Sequence, residues 1–197
     1  MPTTVLGISG SLTSGGSTRA IIDYALQAAQ ARFPEITTDV LDLRDVKISF
    51  CDGRPPADYP DDTGQVIDRI QAADAYVIGT PIYRGSYTGA LKNLIDHIPV
   101  EALAGKVAGL IGNAASDHHY LSIDQEIRPV LMWFNMHLVP GSVYVRGNQM
   151  QGKEIVDEQV QEHLRQLGEA VVSLHQGIQA AAGGPPPLSQ WAGRRRG

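Results

Sequence analysis

The sequence predicts an α/β domain in which a doubly wound, five-stranded parallel sheet lies between two layers of helices. Apolar runs of strand length alternate with helical patterns, and loops dense in glycine and serine follow several of the predicted strands. At 197 residues the chain has the length of one domain and can form a core without disulfides or structural metal. We therefore expect one three-layer α/β/α domain over residues 1–178, followed by a tail at 179–197.

The first strand, loop and helix are clearly patterned. Residues 4–9 form an apolar run bounded by small residues, as in a buried parallel strand. Residues 10–16 are small and mostly polar, and residues 18–32 then place Ile22 and Leu26 at helical spacing. This is a strand, a loop and a helix.

The same alternation continues along the chain. The later predicted strands are residues 39–43, 75–79, 106–112 and a pair within 137–145. The later predicted helices are residues 63–73, 87–98, 121–135 and 153–177. Because helices connect successive strands, the strands are expected to run parallel. From residue 180 onward Ala, Gly and Pro dominate and three arginines precede the last residue, which is typical of a flexible tail.

Composition excludes several classes of protein. The net charge of -5 argues against a general nucleic-acid-binding surface, and no apolar run approaches the ~20 residues that span a bilayer. Cys51 is the single cysteine and cannot form an internal disulfide, so we expect a cytoplasmic protein. His118 and His119 are adjacent to Asp117, but no spaced Cys or His completes a metal site, and none is expected.

The loop at residues 10–18 concentrates hydroxyl groups and backbone amides at the start of a helix. Such a loop can surround a phosphate, and in a doubly wound sheet ligands bind at the carboxyl ends of the strands. The loop lacks the Gly-Lys-Ser/Thr ending of a P-loop and the glycine spacing of a dinucleotide site, so a phosphomonoester is favoured. Taken alone, the loop also fits a linker with helix-capping residues.

A long motif follows the third predicted strand. Residues 81–96 resemble the pattern P-x-Y-x-x-S-x-x-G-x-L-K-N-x-I-D of the NADPH-dependent FMN reductases, a family with the flavodoxin-like fold. Gly10 and Ser11 resemble the phosphate loop of that family, and the resemblance covers residues 4 to about 177. Residues 81–83 and 128–131 are most similar to the flavin reductases that supply sulfonate monooxygenases.

The resemblance implies NAD(P)H-dependent reduction of FMN by hydride transfer to flavin N5. It implies no obligatory acid or base, and a homodimer or homotetramer in which a neighbouring subunit completes the flavin pocket. Reduced FMN would then leave for a partner monooxygenase, or stay bound and reduce a quinone, an azo dye or a metal oxyanion. The alternatives are a flavodoxin-type electron carrier without nicotinamide activity and a regulatory domain without a cofactor.

The loops and the resemblance together predict the cofactor-binding residues. These are Ser11, Ser17, Thr18, Arg19, Pro81, Ile82, Tyr83, Arg84, Gly85, Gly112, Asn113 and Ala114. We expect the FMN phosphate at residues 11–18 and the isoalloxazine between residues 81–85 and 112–115. Arg84 is expected to bind the phosphate of NAD(P)H or to pair with an acidic residue of an adjacent subunit.

The first loop departs from the family at one position. The family carries an arginine two residues after Gly-Ser, where this chain has Thr13. We expect Ser17, Thr18 or Arg19 to replace that phosphate contact.

Overall fold

The strands assemble into one parallel sheet and one small hairpin. The structure is a computed structural model and describes residues 2–178. The strands of the sheet are β1 (Thr4–Ser9), β2 (Thr37–Asp42), β3 (Ala75–Pro81), β4 (Val107–Ala114), β5 (His137–Leu138) and β6 (Val143–Arg146). The order is β2-β1-β3-β4, and both β5 and β6 pair with β4, so the fifth position holds two short segments.

Helices cover both faces of this sheet. They are α1 (Thr18–Arg32), α2 (Thr63–Ala72), α3 (Gly89–His97), α4 (Arg128–Trp133) and α5 (Glu158–Gly177). One apolar cluster joins α1 and α5 to strand residues such as Val77, and a second joins α2, α3 and α4 to residues such as Ile78. Successive strand residues face opposite layers because side chains alternate along a strand.

The register brings the carboxyl ends of the central strands together. Ser9 at the end of β1 lies opposite Gly79 of β3, and Pro81 at the end of β3 lies opposite Asn113 of β4. The loops that follow these strands therefore meet at one edge of the sheet. The predicted parallel arrangement places all three polar loops at this edge.

The interruption between β5 and β6 lies at residues 139–142, which include Pro140. Proline has no backbone N–H and cannot donate to a neighbouring strand. Arg128 binds this interruption, since its guanidinium donates to the carbonyl oxygens of Val139 at 3.1 Å and Pro140 at 3.3 Å. The strand pair expected within residues 137–145 is thus present as two segments on one partner strand.

The prediction of a helix from residue 153 was wrong at its start. Residues 150–155 form a hairpin of β7 (Met150–Gln151) and β8 (Glu154–Ile155), turned at Gly152 with a φ of 63°. The helix α5 begins only at Glu158, where the Asp157 side chain accepts a hydrogen bond from the Val160 amide at 3.0 Å. The glycine turn and this N-cap together exclude residues 150–157 from the helix.

The helix predicted at residues 121–135 is divided. A π-helical turn, Ile123–Ile127, precedes α4, and the Arg128 amide donates to the carbonyl oxygen of Ile123 five residues earlier. Ile123 packs on Gly112, where a Cβ atom would lie 2.8 Å from its side chain. The segment ends at Asn135, which has a φ of 57°.

The predicted tail at residues 179–197 lies outside the described residues. Within residues 2–178, no helix has both the length and the apolar character required to cross a membrane. The division of the chain at residue 178 remains a prediction.

Candidate functional site

A cavity of about 530 Å³ opens at the carboxyl edge of the sheet. Its walls come from the loops after β1, β3 and β4 and from the segment after β6. The lining residues are Ser11, Thr13, Gly15, Gly16, Ser17, Thr18, Pro81, Ile82, Tyr83, Asn113, Ala114, Ala115, Val145, Arg146, Gly147, Met150 and Gly152. The volume falls within the range of about 300–1,000 Å³ that is usual for small-molecule sites.

The first wall is the loop between β1 and α1. Ser11 is buried, and its hydroxyl oxygen accepts a hydrogen bond from the Thr13 amide at 3.2 Å. Gly16 donates from its amide to the Thr13 carbonyl at 3.1 Å, and a Cβ at Gly16 would lie 3.2 Å from the Ser11 hydroxyl. A glycine at position 16 therefore allows the backbone of the loop to approach Ser11 and Thr13 closely.

The start of α1 presents unpaired donors to the cavity. Ser17 is the N-cap residue, and its side chain makes no capping hydrogen bond. The first turn of α1 carries no acidic residue, so its free amides and positive helix end are not neutralised from within the helix. This end of the cavity favours an anion.

Thr18 lines the cavity, but its hydroxyl has a partner. The Thr18 hydroxyl donates to the side-chain oxygen of Asn113 at 2.8 Å and thereby joins α1 to the end of β4. Because a hydroxyl has one hydrogen, this donor is not available to a phosphate. The bond fixes the orientation of the Asn113 amide at the cavity wall.

The second wall is the loop after β3, and it ends in a tight turn. Tyr83 and Ser86 exchange two backbone hydrogen bonds, and the residues between them, Arg84 and Gly85, have φ values of 56° and 80°. Positive φ at both central positions is the geometry of a type I′ turn. The exposed Arg84 thus stands at the tip of a rigid turn, beside the cavity and not in its lining.

The first two walls are bonded to each other. The Gly10 amide donates to the Gly79 carbonyl at 2.8 Å, and the Thr88 hydroxyl donates to the Gly10 carbonyl at 2.6 Å. At the rim, the hydroxyl groups of Thr13 and Tyr83 lie 3.1 Å apart. The half-exposed Tyr83 ring is therefore held above the cavity by the first loop.

The structure brings most of the predicted site residues together. Ser11, Ser17, Thr18, Pro81, Ile82, Tyr83, Asn113 and Ala114 all line the cavity. Four predicted residues lie outside its lining: Arg19, Arg84, Gly85 and Gly112.

Specific contacts place three of these residues elsewhere, and Arg84 stands at the tip of its turn. Arg19 donates to the Asp23 carboxylate at 3.0 Å, so it does not supply the cation that the loop lacks. Gly112 instead gives room to Ile123, as described above. Gly85 shares the turn with Arg84 and faces the His119 ring.

The fourth wall, formed by the end of β6 and the segment after it, was not predicted from the sequence. Val145, Arg146, Gly147, Met150 and Gly152 reach the cavity from the end of β6 and from the β7–β8 hairpin. The signal for it was available, because the carboxyl end of a fifth parallel strand lies at the same edge as the others. The predicted site is limited to the loops after the first, third and fourth strands.

Hydrogen bonds hold the fourth wall in place. The Arg146 amide donates to the Gln149 side-chain oxygen at 2.9 Å, and the Gln149 side-chain amide donates to Asp157 at 2.8 Å. Asp157 in turn caps α5, and hydrogen bonds from Gln149 and the Val160 amide hold the pKa of its carboxyl below its ordinary value. The wall is therefore anchored on a long helix.

The loop after β4 carries Asp117, His118 and His119. The Ser116 hydroxyl lies 3.0 Å from His118 Nδ1, and the Tyr144 hydroxyl donates to the Ser116 carbonyl at 2.6 Å. Within the described part of the chain, no group of three or more His, Cys, Asp or Glu side chains is placed to hold a metal ion.

Comparison with known proteins identifies the family. The family model of the NADPH-dependent FMN reductases matches residues 3–151. This range includes β1 to β4 and every residue that lines the cavity except Gly152. The chain belongs to the NADPH-dependent FMN reductase family. The resemblance inferred from residues 10–11 and 81–96 is thus confirmed, and the protein is an oxidoreductase.

Relatives of similar length extend this result. The chain is 43% identical over 172 residues to an NAD(P)H-dependent FAD/FMN reductase of Geobacillus thermodenitrificans, covering 87% of this chain and 92% of that protein. It is 30% identical over 145 residues to the NADH-dependent FMN reductase SfnF of Pseudomonas putida, covering 71% and 75%.

Solved structures support the fold. An NADH:FMN oxidoreductase, EMOB, in its apo form superposes with a TM-score of 0.70 at 28% identity, covering 95% of this chain and 98% of that chain. A flavodoxin from the domain Archaea superposes with a TM-score of 0.61 at 12% identity, covering 88% of this chain and 99% of the flavodoxin chain. The flavodoxin-like fold predicted from the sequence is confirmed.

Proposed function

We propose that the protein binds FMN in the cavity at the carboxyl edge of the sheet and reduces it with NADPH or NADH. The observation that carries this proposal is that the phosphate-type loop and the family motif form two walls of one cavity. Thr13 in the first loop and Tyr83 in the second are 70 residues apart in the sequence. In the structure their hydroxyl groups lie 3.1 Å apart.

The residues present fit FMN at both of its ends. A phosphate suits the free amides of the first turn of α1 together with the hydroxyl groups of Ser11 and Ser17. An apolar ring suits the surfaces of Pro81, Ile82 and Ala114, with Tyr83 available for stacking. We propose that the isoalloxazine lies between residues 81–83 and 113–115.

The cavity is suited to positioning the flavin and the nicotinamide. No Asp, Glu, His, Lys or Cys is among the described residues that line it. FMN held by these walls would supply the chemistry, because its N5 can accept a hydride. The walls then accelerate the reaction by holding the flavin and the nicotinamide in contact and by excluding water from between them.

We propose that Arg84 helps to bind the nicotinamide nucleotide. It stands at the tip of a rigid turn next to the cavity, exposed and with a fixed positive charge. A guanidinium can bind a phosphate with paired hydrogen bonds. Either NADPH or NADH can serve as the hydride donor in this arrangement.

Reduced FMN is proposed to pass to a flavin-dependent monooxygenase. This rests on the similarity of residues 81–83 and 128–131 to the flavin reductases that supply sulfonate monooxygenases. The similarity of the chain to SfnF, a protein named as an NADH-dependent FMN reductase, agrees with it. An FMN-dependent NADPH-azoreductase of Staphylococcus haemolyticus is 34% identical over 111 residues, covering 54% of this chain and 58% of that protein. Azo dyes are therefore the acceptors to test next, followed by quinones and metal oxyanions.

We also propose that the protein forms a homodimer or homotetramer in the cytoplasm. Exposed apolar side chains on and before α4 support self-association: Tyr120, Leu121, Met132 and Trp133. The free thiol of Cys51 fits a reducing compartment.

A spectrum and an assay test the proposed function. Purified protein titrated with FMN should shift the flavin absorption, and it should oxidise NADPH or NADH when FMN is present. A flavodoxin-type carrier would bind FMN without oxidising either nucleotide, and a domain without a cofactor would do neither.

A further inference from the structure

Arg146 is the one charged side chain among the described residues that line the cavity. It stands at the end of β6, in the wall that the sequence did not predict. The other lining residues are small, apolar or neutral polar. Any negative charge on a molecule in the cavity would therefore meet this guanidinium as its only cationic side chain within the described lining.

Two other arginines near the site, Arg19 and Arg44, have carboxylate partners that hold them. Arg19 donates from Nε to both oxygens of Asp23, at 3.0 and 3.1 Å. Arg44 binds the buried Asp42 through Nε and Nη2, and the Arg44 hydrogen bonds and positive charge lower the pKa of that carboxyl against the effect of its burial. Neither guanidinium is free to turn toward a ligand without losing a close ion pair.

The backbone amide of Arg146 is fixed by a hydrogen bond, whereas its guanidinium is held only weakly. Its amide is fixed by Gln149, as described above. Its guanidinium lies 3.3–3.4 Å from Asp117, a carboxylate whose side chain is 70% exposed. Exposed ion pairs of this kind contribute little to stability. The side chain can exchange Asp117 for a ligand at small cost.

The position of β6 places Arg146 at the ring end of the proposed flavin site. In the sheet, Arg146 lies opposite Ala114 of β4, which is the residue against which the ring is proposed to lie. The phosphate loop follows β1, three strand positions from β6, which corresponds to roughly 14 Å at the usual strand spacing. Arg146 is thus nearer the ring than the phosphate.

The geometry points to Arg146 as the residue that stabilises the negative charge of reduced FMN, an inference that rests on the proposed function. NAD(P)H gives up a hydride, which is a proton with two electrons, and leaves as NAD(P)⁺. The flavin that receives the hydride at N5 carries one added negative charge, shared by N1 and the C2 carbonyl oxygen, until water supplies a proton. A guanidinium beside the ring binds this reduced form more tightly than the oxidised form.

The test compares the binding of the two redox states of FMN. Wild type, Arg146→Gln and Arg146→Lys are titrated anaerobically with oxidised FMN and with dithionite-reduced FMN, and the midpoint potential of the bound flavin is measured. We expect Arg146→Gln to weaken binding of reduced FMN about tenfold more than binding of oxidised FMN, which lowers the two-electron potential by about 30 mV. Arg146→Lys should keep most of the difference.

A matched control and a ligand without phosphate separate the outcomes. Arg165→Gln removes an ion-paired arginine on α5 outside the cavity lining and should leave the potential unchanged. With riboflavin, the effect of Arg146→Gln should persist. Equal weakening of both redox states, or an effect that disappears with riboflavin, would assign Arg146 to the phosphate and overturn the inference.

Asp117 gives a second, independent variant. Asp117→Asn removes the carboxylate that competes for Arg146, so it should raise the potential in the wild-type background and have no effect in Arg146→Gln. An equal effect in both backgrounds contradicts the inference. The proposed function fails differently, through absence of FMN binding or of NAD(P)H oxidation by the wild-type protein.

Discussion

The hydrogen bond from Thr18 to Asn113 joins the start of α1 to the end of β4 at the cavity wall. Thr18→Val keeps the shape of the side chain but leaves the Asn113 oxygen without its donor, which costs about 1 kcal/mol. We expect FMN affinity to fall about fivefold, measured by flavin fluorescence titration. Thr18→Ser retains the hydroxyl and should bind FMN like the wild type; equal loss in both variants would contradict this role.

Arg84 is tested through kinetics. If it binds the phosphate of the nucleotide, Arg84→Ala should raise the KM for NADPH about tenfold and leave FMN affinity unchanged. Arg84→Lys keeps the charge and should recover part of the loss. Normal NADPH kinetics together with a smaller oligomer would instead support pairing with an acidic residue of a neighbouring subunit.

The sequence did not predict the directions in which long side chains near the site point. Ser17, Pro81 and Tyr83 were placed at the cavity because loops after parallel strands converge. Arg19 was expected there as well, but its direction is set by Asp23 one helical turn away. Arg146 lies outside the predicted site because that prediction is limited to the loops after the first, third and fourth strands. Its exact place also depends on the register of β6 against β4.

The contact between α1 and α5 depends on one glycine. A Cβ at Gly168 would lie 2.2 Å from the backbone oxygen of Ala25, which cannot move without displacing α1. We expect Gly168→Ala to lower the free energy of unfolding by about 1–3 kcal/mol, measured by urea denaturation. Gly177→Ala, at a position with nothing within 4 Å of the added Cβ, is the matched control and should be neutral or slightly stabilising, because alanine favours a helix more than glycine does.

The cap of α5 predicts a dependence of stability on pH. Because the pKa of Asp157 is lowered in the folded state, its contribution is present above the unfolded value of about 3.9. That contribution is lost as the pH falls through the lower, folded value. The melting temperature of the wild type should exceed that of Asp157→Asn at pH 7, and the gap should close toward pH 2.5. A constant gap over this range would contradict the assignment.

Regular elements were predictable where the pattern extended over several residues. The bounds of α1 and β1 match the sequence prediction because each has an unbroken apolar pattern and clear flanking residues. The β7–β8 hairpin has only two residues in each strand, too few to show an alternation. The π-helical turn before α4 begins at Ile123, which packs on Gly112, and a contact between such distant parts of the chain leaves no local pattern in the sequence.

Self-association of the whole molecule is tested at α4. Trp133 and Met132 are about half exposed there, and burying such side chains against a second copy would remove apolar surface from water. We expect Met132→Glu to reduce the mass measured by light scattering, because a charge would be buried at the contact. Val156→Glu changes a similarly exposed apolar residue near α5 and should leave the mass unchanged. A wild-type monomer at micromolar concentration would contradict the proposal.

We expect the interruption of the fifth strand position to protect the protein from aggregation as well. An open sheet edge offers unpaired backbone groups to any passing strand and can recruit further chains into a growing sheet. Here that edge consists of two segments of two and four residues, separated by a stretch that includes Pro140 and is held by Arg128. A foreign strand would find no continuous ladder to extend. We expect Pro140→Val together with Arg128→Gln to increase light scattering on prolonged incubation of the folded protein, even if its melting temperature hardly changes.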